Sequence, residues 1–187
     1  MKSIALILLS LLPTVMSAKT LVIGDSLAYT LTKSAQKITP TDGYYLVGSG
    51  LIAGELDWPG FIRGLDISPF DKVVISIGAN DGVTFQQVNS YEKKASDLIS
   101  IIKNKNESIL IIWVLPPAMK NENTEQGLIN TRRAISQAAE SSGIGVFNPG
   151  TIIGDKFTMT VNNIQIRTKD GIHYTEKGGD ILIQNLL

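Results

Sequence analysis

The chain has 187 residues, and its 17 Lys and Arg are balanced by 17 Asp and Glu, so the formal net charge at pH 7 is zero. This balance gives no electrostatic reason for binding nucleic acid or an anionic membrane surface. The sequence has no Cys and a single His, which excludes a disulfide framework and argues against a zinc site. The length suffices for one substantial hydrophobic core.

The first eighteen residues have the three-part layout of a secretory signal peptide. Lys2 precedes an apolar run over residues 4–12, and the small residues Ser17 and Ala18 follow. The run is shorter than the roughly 20 apolar residues that a membrane helix needs. We therefore expect residues 1–18 to be removed from an exported protein, periplasmic or secreted, that keeps no membrane span. A retained membrane anchor is the alternative, and residues 19–187 are expected to form a single domain.

Five short segments rich in Val and Ile predict β-strands, over residues 20–23, 44–47, 73–77, 109–115 and 144–147. The third and fourth are apolar on both faces, as strands at the centre of a parallel sheet are. Longer stretches with helical periodicity lie between the strands. This alternation predicts an α/β fold in which crossover helices connect parallel strands.

Two of the helical stretches carry an apolar stripe at intervals of three or four residues. The first stripe consists of Phe85, Val88, Tyr91, Ala95, Leu98 and Ile102, and the second of Leu128, Ile135, Ala138 and Ala139. Thr124 is a candidate N-cap for the second helix, and Gly143 follows its expected end. Residues 157–167 alternate in polarity around Asn162-Asn163, which predicts a small hairpin before the last helix.

His173 is the only histidine, so any imidazole base in this chain must be His173. Asp170 precedes it by three residues, across a glycine that permits a tight turn. A carboxylate at this spacing can reach the Nδ1 atom of the imidazole and direct Nε2 toward a nucleophile. The alternative is a histidine that only caps or begins a helix.

Ser26 follows the first predicted strand, at the turn into a helix expected to begin near Leu27. Its hydroxyl and N–H can therefore face the carboxyl edge of the sheet, where the functional groups of open α/β sheets gather. This position suits a nucleophile, and an ordinary helix N-cap is the alternative. For Asp25 we expect a structural role, in which its side chain accepts backbone hydrogen bonds within the turn.

Gly50 and Asn80 follow the second and third predicted strands and fall at the same edge of the sheet. A glycine lets its backbone N–H approach a ligand closely, and an asparagine amide donates a hydrogen bond without adding charge. Both residues could therefore stabilise the negatively charged oxygen that develops during acyl transfer. Each is also typical of a plain turn.

Together these segments resemble the four sequence blocks of the SGNH hydrolases, also called the GDSL family. The blocks occur in order as Gly24-Asp25-Ser26-Leu27, Gly50, Gly78-Ala79-Asn80-Asp81 and Asp170-Gly171-Ile172-His173. The resemblance implies a flavodoxin-like three-layer α/β/α sandwich with a five-stranded parallel sheet. It also implies that Ser26 is the nucleophile, His173 the base and Asp170 its partner. The oxyanion hole would then consist of the Ser26 N–H, the Gly50 N–H and the Asn80 amide.

Residues 57–58, 113–117 and 167–175 further resemble an exported bacterial branch related to cell-envelope polysaccharide enzymes. This resemblance implies a serine esterase, without cofactor or metal, that hydrolyses or transfers an O-acetyl group on an envelope or extracellular glycan. A lipid esterase or thioesterase with the same three residues is one alternative. A non-catalytic glycan-binding module is another, and a matched nucleophile and base argue against it because binding has no need of them.

Overall fold

A computed structural model describes residues 18–187, so the predicted signal peptide, apart from residue 18, lies outside the described residues. The central sheet contains the strands β1 (Thr20–Gly24), β2 (Thr41–Tyr45), β3 (Lys72–Ser76), β4 (Leu110–Val114) and β5 (Gly145–Phe147). Their order is β2-β1-β3-β4-β5, and every neighbouring pair is parallel. This is the strand order of flavodoxin-like folds, and it confirms the predicted α/β class.

The helices form a layer on each face of the sheet. They are α1 (Ser26–Ala35), α2 (Trp58–Gly64), α3 (Val88–Lys105), α4 (Glu122–Ser142), α5 (Gly150–Ile153) and α6 (Glu176–Leu186). Helix α1 packs against α6 over one face, while α3 packs between α2 and α4 over the other. Each face buries its own apolar cluster, so the three-layer prediction is confirmed. Within residues 18–187, none of the helices is both long and apolar enough to cross a bilayer.

Strand β2 lies earlier in the chain than the sequence predicts. It covers Thr41–Tyr45 in place of residues 44–47, and it pairs only with β1, from Thr20 opposite Thr41 to Gly24 opposite Tyr45. Strand β1 is buried along its whole length, so its pairing determines which residues of the edge strand join the sheet. Leu46 and Val47 are apolar, but they are exposed beyond the end of the strand.

The starts of two helices also differ from the sequence prediction. Asn121, and not Thr124, is the N-cap of α4, because its side chain accepts hydrogen bonds from the N–H groups of Asn123 and Thr124, at 2.9 and 3.2 Å. Phe85 belongs to a short 3₁₀-helix before α3 and is exposed, so it is not part of the buried stripe. The predicted end of α4 before Gly143 is confirmed, since Gly143 is its left-handed C-cap.

The small hairpin before the last helix is confirmed. Strands β6 (Thr160–Val161) and β7 (Ile164–Gln165) are antiparallel, and Asn162 and Asn163 between them have φ values of 48° and 63°. Two consecutive positive φ values characterise the type I′ turn, in which Asn is one of the few favourable side-chain residues. The chain then runs back toward the sheet and into the loop that carries His173.

Candidate active site

The turn after β1 brings Ser26 to the carboxyl edge of the sheet. At Gly24, a Cβ atom would lie 2.6 Å from the carbonyl carbon of Ser76 and closer still to its oxygen, so only glycine fits there. The next N–H, that of Asp25, donates to the same Ser76 carbonyl at 3.0 Å. Helix α1 begins at Ser26, which is half-buried. The close approach of β1 to β3 thus determines where the Ser26 side chain lies.

Asp25 is the N-cap of α1, so Ser26 is not the capping residue. The Asp25 carboxylate accepts hydrogen bonds from the N–H of Leu27 at 2.9 Å and from the N–H of Ala79, after β3, at 3.1 Å. Burial raises the pKa of Asp25 to about 7, against the opposing effect of these N–H donors. The side chain therefore connects the Ser26 turn with the loop that carries Asn80, which agrees with the structural role expected for it.

Ser26, His173 and Asp170 form a continuous hydrogen-bonded chain. The Oγ atom of Ser26 lies 2.8 Å from Nε2 of His173, and Nδ1 of His173 lies 2.8 Å from Oδ2 of Asp170. Because a carboxylate can only accept, Nδ1 carries the proton, and Nε2 is left as the acceptor for the serine hydroxyl. The structure thus brings together three residues from opposite ends of the sequence in the geometry of a nucleophile, a base and an orienting acid.

Asp170 is held in place by its second carboxylate oxygen. Oδ1 accepts from the Thr168 hydroxyl at 2.6 Å and from the backbone N–H groups of Ile172 and His173 at 2.7 and 3.1 Å. Partial desolvation raises the pKa of Asp170, but the hydrogen bonds from His173, Thr168 and the backbone outweigh it and keep the pKa below its usual range. The loop therefore leaves Oδ2, in its ionised form, for the histidine.

Two of the expected oxyanion donors, Asn80 and Gly50, already donate hydrogen bonds within the protein. One hydrogen of the Asn80 amide is used, since Nδ2 donates to the Ser49 carbonyl at 2.9 Å, but an amide nitrogen carries two. The Gly50 N–H donates to the Ala53 carbonyl at 2.8 Å, within its own turn. The sequence predicts a free N–H at Gly50, whereas in the structure this N–H is already used in a local hydrogen bond.

Asp81 organises that turn, a role that its place at the end of the third sequence block does not indicate. Its carboxylate accepts from the N–H groups of residues 51, 52 and 53 at 2.9–3.0 Å and from the Tyr91 hydroxyl at 2.6 Å. A Cβ on Gly50 would lie 2.8 Å from Oδ2 of Asp81 and closer to the rest of the carboxylate, which accounts for the glycine. Desolvation, together with the charge of Asp81, raises the pKa of Tyr91, so its hydroxyl remains a donor.

The role of Arg167 is not predictable from the sequence either, because an isolated arginine beside a hairpin resembles a solvated residue. It is almost fully buried, and its guanidinium donates to the carbonyl of Ala118 at 2.9 Å and to the carbonyl of Ile172 at 2.7 Å. The rings of Phe157 and Tyr174 lie 5.2 and 5.3 Å from the guanidinium carbon. The guanidinium therefore ties the loop after β4 to the backbone directly before His173.

These residues are equipped for nucleophilic acyl chemistry. Among residues 18–187, no three His, Asp or Glu side chains converge in the way a metal ion would require.

The fold is that of the SGNH hydrolases, and similar solved structures share it. An aryl esterase from M. smegmatis is 18% identical, with a TM-score of 0.65 over 91% of this chain and 96% of its own. A carbohydrate acetylesterase from Sinorhizobium meliloti is 14% identical, with a TM-score of 0.63 over 90% and 96%. An acetyl xylan esterase from Geobacillus stearothermophilus is 18% identical, with a TM-score of 0.62 over 91% and 93%.

The chain belongs to the DUF459 family, described as proteins of unknown function, whose model matches residues 19–187. No curated protein matches the chain by sequence.

Proposed function

We propose that this protein is an exported serine esterase that removes an O-acetyl or similar short O-acyl group from an envelope or extracellular glycan. The observation that carries the proposal is the hydrogen-bonded chain from Ser26 through His173 to Asp170, with both contacts at 2.8 Å. A binding protein has no need for a serine hydroxyl aligned with an oriented imidazole.

In the proposed reaction, Nε2 of His173 takes the hydroxyl proton as Oγ of Ser26 attacks the ester carbonyl carbon. The tetrahedral intermediate collapses, the bond to the alcohol oxygen breaks, and His173 gives its proton to that oxygen. Water then attacks the acyl-enzyme with His173 again as base, which releases the carboxylic acid and restores Ser26. A sugar hydroxyl in place of water would give acyl transfer with the same residues.

The oxyanion would be stabilised by Ser26 and Asn80. The Ser26 N–H lies in the first turn of α1, where N–H groups have no acceptor within the helix, and the Asn80 amide has a second hydrogen. Each such donor contributes roughly 3 kcal/mol to the transition state. Gly50 remains a predicted third donor, and its N–H would have to exchange the Ala53 carbonyl for the oxyanion.

The likeness to a carbohydrate acetylesterase and an acetyl xylan esterase supports a short acyl group on a sugar. A longer acyl chain is the second candidate, because an apolar groove of about 450 Å³ lies beside edge strand β2, lined by residues that include Tyr44, Leu46, Leu56 and Phe61. Such a groove could accommodate a fatty acyl chain.

A series of nitrophenyl esters from acetyl to dodecanoyl distinguishes the two candidates. We expect kcat/KM to be highest for acetyl or propionyl and to fall with chain length, with Ser26→Ala setting the background at each length. A maximum at eight carbons or more would favour the lipid esterase instead.

Export is the remaining part of the proposal. It is supported by the layout of residues 1–18, in which a short apolar run follows Lys2 and ends in small residues. When the full-length gene is expressed in bacteria, we expect the mature protein outside the cytoplasm, with Ala18 or Lys19 as its first residue by intact mass. A cytoplasmic product that begins at Met1 would contradict export.

A further inference from the structure

A second groove lies along helix α1, the helix that carries Ser26 at its first position. Helix α1 starts at Ser26, and Tyr29 and Lys33, three and seven residues later, lie on the same face of the helix. A cavity of about 410 Å³ runs along this face and is also lined by Tyr174, the residue after His173, and by Glu176 at the start of α6. The groove therefore lies between α1 and the start of α6, and its lining includes Tyr174, which adjoins His173 in the chain.

An aromatic pair lies where α1 faces the end of β2. The ring of Tyr29 is about half exposed, at 46%, and meets the ring of Tyr45 edge to face with centroids 5.1 Å apart. This contact restrains the Tyr29 ring, so the ring loses little side-chain entropy when a ligand binds against it. An exposed and restrained aromatic ring suits the C–H face of a sugar.

The two lysines along the groove differ in their ion pairs. Lys37 forms ion pairs with Glu176 and Asp180, at 2.6 and 2.8 Å. Lys33 forms no ion pair with any residue of the described range 18–187, and its Nζ lies 6.0 Å from the centroid of the Tyr29 ring. The two lysines and two carboxylates sum to zero, but both carboxylates pair with Lys37, so the Lys33 ammonium beside the aromatic ring is left for a carboxylate on a sugar.

We propose that this groove binds the alcohol side of the ester and selects an acidic glycan, with Tyr29 against the sugar ring and Lys33 against its carboxylate. The inference rests on the proposed function. Because His173 would return the proton to the leaving alcohol, we assign the alcohol side to the groove whose lining includes Tyr174, the residue next to His173.

The test compares acetate release from O-acetylated polygalacturonate, which is acidic, with release from O-acetylated xylan, which is neutral. The variants are Lys33→Met, Tyr29→Ala and the control Lys94→Met, an exposed lysine on α3 across the sheet. We expect Lys33→Met to lower the ratio of kcat/KM on the acidic polymer to that on the neutral one about tenfold. The same ratio should fall with added salt in the wild type but not in Lys33→Met.

Tyr29→Ala is expected to lower kcat/KM on both polymers, since its ring would contact the sugar and not the carboxylate. Lys94→Met should match the wild type on every substrate. If Lys33→Met leaves the ratio of kcat/KM on the acidic polymer to that on the neutral polymer unchanged, the acidic-glycan inference is wrong. In that case, wild-type hydrolysis of nitrophenyl acetate would still support the proposed esterase. If the wild type fails on nitrophenyl acetate as well, the proposed function itself fails.

Discussion

Replacing Asp170 by Asn should shift the ring proton of His173 from Nδ1 to Nε2 without moving the ring. Oδ1 of Asp170 accepts two backbone N–H groups and the Thr168 hydroxyl, so the oxygen of an Asn side chain must occupy this position. The opposite orientation would set an NH₂ group against two N–H donors, at a cost of about 1–3 kcal/mol per unpaired group. The Asn NH₂ would therefore face Nδ1 of His173 and donate to it.

The expected consequence is a large loss of activity in a folded protein. With Nδ1 as acceptor, Nε2 carries the proton and donates it to Oγ of Ser26, 2.8 Å away, so it cannot take the proton of the serine hydroxyl. By analogy with serine hydrolases, a wrong tautomer lowers kcat by about 10³–10⁴-fold. Initial rates on nitrophenyl acetate measure this loss, and thermal denaturation shows whether the fold is retained.

Asp66→Asn is the matched control, because Asp66 also accepts a backbone N–H two residues ahead, from Ser68 at 3.0 Å, and lies in the loop before β3, at the opposite edge of the sheet. It should keep wild-type kinetics. A folded Asp170→Asn variant with more than about a tenth of wild-type kcat would refute the reasoning, since Asp170 would then not control the histidine tautomer.

Three further variants test the support around the site. Gly24→Ala should lower the melting temperature by about 6–12 °C, because overlap with the β3 backbone costs about 3 kcal/mol. In the control Gly64→Ala the new Cβ meets nothing within 4 Å, so the melting temperature should be unchanged or raised. Equal melting temperatures for Gly24→Ala and Gly64→Ala would refute the overlap argument. Because burial raises the pKa of Asp25 to about 7, the stability it contributes is present below about pH 4 and is lost as the pH rises to about 7. In urea unfolding between pH 4.5 and 8, the wild type should therefore lose about 2–4 kcal/mol relative to Asp25→Asn, and parallel pH curves would contradict this. Arg167→Met should lower kcat on nitrophenyl acetate roughly 10- to 100-fold with little change in KM, since it releases the backbone before His173, and an unchanged kcat would show that the arginine does not position that loop.

The sheet could be predicted because its strands are short, apolar and separated by helical periodicity. Buried strands such as β1 carry this signal in every residue, whereas β2 does not: it contains Asp42 and Gly43, and pairing with β1 sets its position. The hairpin could be predicted because Asn162-Asn163 supplies two positive φ values locally. The start of α4 could not be predicted, because Asn121, Asn123 and Thr124 are all residue types that cap helices and the sequence does not select among them.

The contact of Ser26 with His173 could be anticipated because both residues belong to recognisable short blocks at strand ends. The supporting residues carry no such signal. Asp81 acts through three N–H groups of a distant loop, and Arg167 through three backbone carbonyls. Their roles therefore depend on backbone positions that exist only in the folded chain. The hydrogen bond from Gly50 to Ala53 is likewise a property of the loop conformation.

Covalent labelling tests the central claim most directly. The full-length protein, processed by its host, would be incubated with a serine-directed fluorophosphonate, and the modified residue located by peptide mass mapping. We predict one label per chain at Ser26, none in Ser26→Ala, and strongly slowed labelling in His173→Ala, because the imidazole must take the serine proton. A folded wild type that is neither labelled nor active on any nitrophenyl ester, or a Ser26→Ala variant that still hydrolyses them, would contradict the assignment of Ser26 as nucleophile.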